Sequence, residues 1–313
     1  GVVLPSNPKK TNVFIYLVFT RLNQDINLDR YYFLPEMTNS DKIAALKILS
    51  SIIPATFVAA PTLFPMIVLT MLNLTFKYGN SVVSCLAYTS YGIILCGMLD
   101  DYEAGYRYGN IALKILNKFN DKSYNAQIFI IYNAFIRHWK EPISLGLEHL
   151  LEGFYSGIET SDIEHACHCA VFYCNHFLML GESLNNSICQ QNRFFKIIKS
   201  YNKNNDIVHL SIWYQFAINL QSNYEHPYLL KGDKFDEELD LKDLFISNNF
   251  LLIFQVYVSK LMLFFIFRKC DQALQNAVLA EKYSENAIAS IYIPIHTFYH
   301  TLALISQYES ILV

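Results

Sequence analysis

The chain has 313 residues, enough for one extended array or two ordinary domains with a sizeable core. Hydrophobic residues make up 53%, aromatic residues 15% and charged residues only 16%, with 22 Tyr and 23 Phe, which excludes intrinsic disorder. Net charge is -3 from 24 basic and 27 acidic residues, and no stripe of Lys and Arg alternates with aromatics, so no nucleic-acid ligand is expected.

In chain order, the opening Gly-Val-Val-Leu-Pro has neither an initiator Met nor a basic stretch followed by a short apolar core. No secretory signal is expected, and the chain reads as a piece of a longer protein. Residues 1–37 read as an N-terminal segment in which Asn12 to Leu22 is an apolar helix and Asn23 to Pro35 a linker. From 38 to 313 the pattern predicts one helical-repeat domain. Helix pairs open near Asn39, Ser81, Ser123, Ser161, Asn205 and Ser247, most of them N-cap residue types just before an apolar run, at a period of about 42 residues. Second helices start near Pro61, Asp101, Glu141, Glu182 and Cys270, and a last helix runs from about Glu285 to Ser310. Tyr224 to Asp243, with Pro227, Gly232 and the acids Asp233, Asp236, Glu237, Glu238, Asp240 and Asp243, reads as a loop with a solvated charge run.

Two stretches, Ile48 to Phe76 and Tyr78 to Leu99, lack charge and are long enough to cross a bilayer. Pro54, Pro61 and Pro65 interrupt the first, with Ser and Thr scattered along it, and no excess of Lys or Arg flanks one side. Inner helices of a stacked array, covered on both faces, explain the same apolarity, and no membrane insertion is expected.

The strongest internal signal is a recurrence: Tyr102, Gly105, Gly109 and Ala112 are matched by Cys270, Ala273, Ala277 and Ala280. Small residues at this spacing let a second helix approach closely. Together these features predict an all-α fold, a superhelical array of antiparallel helix pairs of the tetratricopeptide-like α-solenoid kind.

Signatures of chemistry are sparse. The chain lacks a Gly-x-x-x-x-Gly-Lys-Ser/Thr phosphate loop, the His-Arg-Asp and Asp-Phe-Gly kinase landmarks, and a Gly-x-Ser-x-Gly elbow. No catalytic or cofactor-binding residue is therefore expected. Seven cysteines, odd in number and mostly inside apolar periodic segments, fit free thiols in a reducing cytoplasm. The densest polar constellation, His165, Cys167, His168, Cys169, Cys174 and His176, has metal-binding residue types. On one helix His165, Cys169 and His176 share a face while the others diverge, so four ligands need a second segment. No resident metal is assigned, and a metal- or small-ligand-binding sensor stands as the alternative reading. Arg137, His138, Trp139 and Lys140 are the candidate partner contact, although cations there also suit a helix C-terminus, with Glu141 and Pro142 opening the next. Tyr106 and Tyr108 could line a peptide groove or serve as core.

The words Lys77-Tyr78-Gly79-Asn80-Ser81, Tyr91-Gly92-Ile93-Ile94-Leu95-Cys96-Gly97, Phe135-Ile136-Arg137-His138-Trp139-Lys140-Glu141 and Ala280-Glu281-Lys282-Tyr283 carry a resemblance. From about residue 36 onward the chain resembles the helical-repeat region of cyanobacterial multi-domain signalling proteins that join a serine/threonine kinase, a signal-transduction ATPase, a sensor and a histidine kinase. The resemblance implies a tetratricopeptide-like region after the ATPase module, acting as sensor arm or relay. It carries over no active site. The expected role is a non-catalytic, cytoplasmic regulatory scaffold that contacts another protein or a domain of its own chain, in a parent that is a serine/threonine or histidine kinase.

Overall fold

The computed structural model describes residues 8–22 and 27–312, with the side chains of Lys10 and 308–312 outside the description. The described residues form helices and turns, and their extended contacts are two isolated bridges, Glu36–Asn80 and Lys231–Asp236. The chain divides into two compact units, one of residues 1–142 with 155–162, the other of 143–154 with 163–313.

The first unit is built from α1 (Lys10–Leu22), α2 (Ser40–Ala59), α3 (Leu63–Tyr78), α4 (Ser84–Met98), α5 (Tyr102–Phe119) and α6 (Asn125–Phe135). The uncharged stretch from Ile48 is two helices, broken at Ala60–Thr62 where Pro61 falls in the turn. Every residue from Ser84 to Cys96 is buried because α4 packs on α3, α5 and α6 at once. That position accounts for its all-round apolarity. Among the described residues α2 is the one helix long and apolar enough to cross a membrane, and its buried face is the narrow stripe Leu46, Leu49, Ile53 and Thr56.

Gly92 and Gly105 bring α4 and α5 together backbone to backbone. A Cβ on Gly92 would stand 3.1 Å from the Gly105 carbonyl oxygen and 2.6 Å from Ile136 Cδ1, and one on Gly105 would collide with Cys96 Sγ. The same economy recurs in the second unit, where Ala273, Ala277 and Ala280 are fully buried in a helix packed on its predecessor.

The linker expectation needs correction over its described part. Leu28–Phe33 is a 3-10 helix capped by Asn27, and Tyr31 stacks on Phe76 with ring centroids 4.2 Å apart. Buried Asn80 ties this segment down: its side chain donates to the Tyr31 carbonyl (2.7 Å) and accepts from the Tyr88 hydroxyl (2.9 Å). Residues 23–26 lie outside the described residues.

One helix, α7 (Leu147–Glu159), is shared in sequence between the two units. The second unit continues with α8 (Ile163–Met179), α9 (Leu184–Ser200), α10 (Asn204–Gln221), α11 (Asp240–Ile246), α12 (Phe250–Ile266), α13 (Cys270–Glu281) and α14 (Tyr292–Leu312). Consecutive helices pack as neighbours, α8 on α9, α9 on α10 and α12 on α13, with α10 also touching α8 and α12. The openings at Ser40, Ser84, Asn125, Ile163, Asn204 and Phe250 follow the expected order but are unevenly spaced. The expected starts at Glu141 and Glu285 move to Leu147 and Tyr292, because short 3-10 turns precede both helices.

A common junction punctuates the chain. Asp100, Asn120, Ser161, Asn202, Asn248 and Arg268 all have positive φ between 51° and 64°, each followed at once by the residue that opens the next helix or turn. The amides of Asp162, Asn249 and Lys269 reach back five residues to Gly157, Leu244 and Phe264, closing one helix as the next begins. Asp101, Asp121 and Asn249 then cap the following element with their side chains.

Candidate functional site

The quartet 137–140 follows α6 as a 3-10 turn and works inside the first unit. Arg137 Nε donates to Glu141 Oε2 at 2.5 Å, and the Tyr106 hydroxyl donates to Glu141 Oε1 at 2.5 Å. Trp139 stacks on Tyr102 with centroids 4.3 Å apart, His138 packs 5.0 Å from the Trp139 ring, and Lys140 pairs with Glu103 at 2.7 Å. Glu103 raises the pKa of Lys140. These side chains staple the first turns of α5 to the end of α6. Tyr108 is core, in contact with Tyr31, Tyr88 and Tyr91.

The Cys/His constellation lies along α8 and disperses. Cys167, Cys169, Cys174 and His176 are buried, whereas His165 and His168 are half-buried. Among the described residues no three His, Cys, Asp or Glu side chains assemble as metal ligands, and all seven cysteines are free thiols. His176 has no hydrogen-bond partner on either ring nitrogen, and burial lowers its pKa to about 4.

The second unit instead holds a buried polar network that joins four helices. Asn175 Nδ2 of α8 donates to the Tyr292 hydroxyl of α14 (2.9 Å) and lies 3.2 Å from His209 Nε2 of α10. Trp213 Nε1 donates to Gln255 Oε1 of α12 (2.8 Å), and the Trp213 ring stacks on Tyr292. Burial, helped by the nearby His168, lowers the pKa of His209 to about 3, against a hydrogen bond to Gln255. Ser187 and Gln191, buried on α9, have unpartnered side chains.

Where α8 and α10 begin, titratable groups collect. Asp206, 5% exposed, meets His168 Nε2 at 3.4 Å, and Glu164 pairs with Lys203 at 3.6 Å. Desolvation pushes the Asp206 pKa up to about 7, with Glu164 adding to the rise and Lys203 and His165 opposing it. The adjoining Cys167 thiol is raised to about 11 by burial and by Asp206, which makes it a poor nucleophile. The acidic segment is also more structural than a solvated run. Glu237 pairs with Lys260 at 2.7 Å with both side chains largely buried, and Asp240 starts α11.

Two surfaces carry exposed apolar side chains in the first unit. On α1, Val13, Leu17 and Thr20 are buried, and Phe14, Ile15, Val18, Phe19 and Leu22 form an exposed stripe on the outer side. On α2 the exposed residues include Ile48, Ile52 and Val58. The i, i+4 spacing of Phe14 with Val18 and of Ile15 with Phe19 was the available sequence signal for the first stripe.

No protein-family model matches the chain. Over 179 residues, 56% of this chain, the sequence is 21% identical to the hybrid signal transduction histidine kinase G of Dictyostelium discoideum. The match covers 5% of that protein's length, so the chain is similar to a small part of it.

Proposed function

We propose that this chain is a non-catalytic regulatory segment of a multi-domain signalling protein, docking another segment of its parent or a partner protein through the outer face of α1. The observation that carries this reading is the exposed stripe of Phe14, Ile15, Val18, Phe19 and Leu22. The side chains that read as candidate chemistry are spent elsewhere: the quartet 137–140 binds α5, and the Cys/His constellation does not converge. Similarity to part of a signal transduction histidine kinase supports the context and makes a histidine kinase the leading parent. The helix pairs from residue 38 onward, with buried small residues on α5 and α13, are read as tetratricopeptide-like repeats of uneven length that relay a change between kinase, ATPase and sensor modules in the cytoplasm.

The test uses the natural protein that contains this chain. The double substitution Phe14→Asp, Phe19→Asp alters kinase activity while leaving the helix content of the isolated chain unchanged; equal activity overturns the docking reading. Incubated alone with labelled ATP, the chain takes up no phosphate; incorporation overturns the non-catalytic reading.

A further inference from the structure

We propose that the contact between the starts of α8 and α10 is a proton-operated latch: loss of the proton shared by Asp206 and His168 leaves a buried unpaired carboxylate and loosens α10 from α8. The argument begins with placement. Asp206 stands in the first turn of α10 and is almost wholly shielded from water, and its side-chain ion-pair contact is the 3.4 Å approach of His168 from α8. A carboxylate removed from water is tolerated only with a compensating cation or with its own proton.

The surroundings set the balance. From α8, Glu164 repels the carboxylate and His165 favours it; from α10, Lys203 favours it but is also paired with Glu164. The cations of α9 are Arg193, Lys196 and Lys199, of which Arg193 lies over Phe194 and acts on Cys174. The single charge on α12, Lys260, is bound to Glu237. Near neutral pH one proton therefore decides between a compensated pair and a buried charge facing Glu164.

The sign follows from linkage. Asp206 is held above its ordinary carboxylate range in the folded chain, so its contribution is full in acid and disappears as pH rises through about 7. His176 and His209, buried and neutral, act in the opposite direction and respond in any variant that keeps them, so a ratio between two proteins cancels them.

The experiment is amide hydrogen exchange of α8 and α10 in the whole chain, corrected for intrinsic rates, in wild type and Asp206→Asn. The ratio of opening in wild type to opening in the variant rises about tenfold between pH 6 and pH 8. In His168→Gln the carboxylate loses the imidazole 3.4 Å away with which it shares the proton, so the midpoint of the rise shifts; a purely structural role would not move it. A ratio constant across this range, or an unmoved midpoint in His168→Gln, overturns the latch. Unchanged far-ultraviolet circular dichroism in Asp206→Asn confirms that both proteins are folded when compared.

Discussion

The two units solve the same problem, burying helices on several faces, with different chemistry. In the first, α4 and α5 meet through Gly92 and Gly105, and the space is filled by rings such as Tyr31, Phe76, Tyr88 and Tyr108. Its interior polar contacts include Asn80, which joins the Tyr31 carbonyl to the Tyr88 hydroxyl, and Thr75 with Ser84. In the second, the interior is crossed by Asn175, His209, Trp213, Gln255 and Tyr292, and it also contains the unpartnered His176, Ser187 and Gln191. Close packing gives a core that is sensitive to added volume but indifferent to pH. A polar core is costly wherever a partner is removed, and its histidines couple stability to protons.

The largest effect that sharpens this contrast is expected from Trp213→Ala. It empties a fully buried site, removes the stack on Tyr292 and leaves the Gln255 carbonyl without its donor, at a cost of about 3–5 kcal/mol read by urea denaturation. Gly105→Val attacks the other kind of core. Its side chain must enter the space of Cys96 Sγ and the Gly92 carbonyl, and a loss of about 1–3 kcal/mol is expected, with exchange protection falling in α4 and α5. His176→Leu is the smallest and runs the other way. Replacing a buried imidazole that bonds nothing with an apolar side chain of similar size raises stability at pH 7 by about 1 kcal/mol and weakens the loss on acidification. A destabilised His176→Leu protein would mean that the imidazole has a partner, and would break the contrast at that point.

Much of the helix order was legible in sequence because the junctions are written in local chemistry. Asn39, Asp101 and Asn249 cap by their own side chains, and Asn120, Asn202 and Asn248 accept the left-handed conformation that ends a helix. The buried small residues of α5 and α13 were legible for the same reason: the spacing alone states the close approach. The 3-10 segments were not, since Leu28–Phe33 is held by Asn80 and Phe76, dozens of residues away. Nor was the polar network, whose members Asn175 and Tyr292 lie 117 positions apart. Asp206 carries no sequence signal of its own, and only the fold places it beside His168. For α1 the periodicity showed an apolar helix, but not which of its faces α3 would cover.

The central claim is that protons act on the core of the second unit and not on that of the first. The most direct measurement is amide exchange of α4–α5 and of α8–α10 between pH 6.5 and 4.5, corrected for intrinsic rates, in Asp206→Asn protein where the carboxylate's opposing gain is absent. His176 and His209, with folded values of about 4 and 3, must take up protons to be exposed to water, so stability is present above their ordinary value of 6.5 and is lost as pH falls. Protection in α8–α10 therefore drops by at least about tenfold while that in α4–α5 holds. Parallel loss in both helix pairs, or none in α8–α10, would contradict the account.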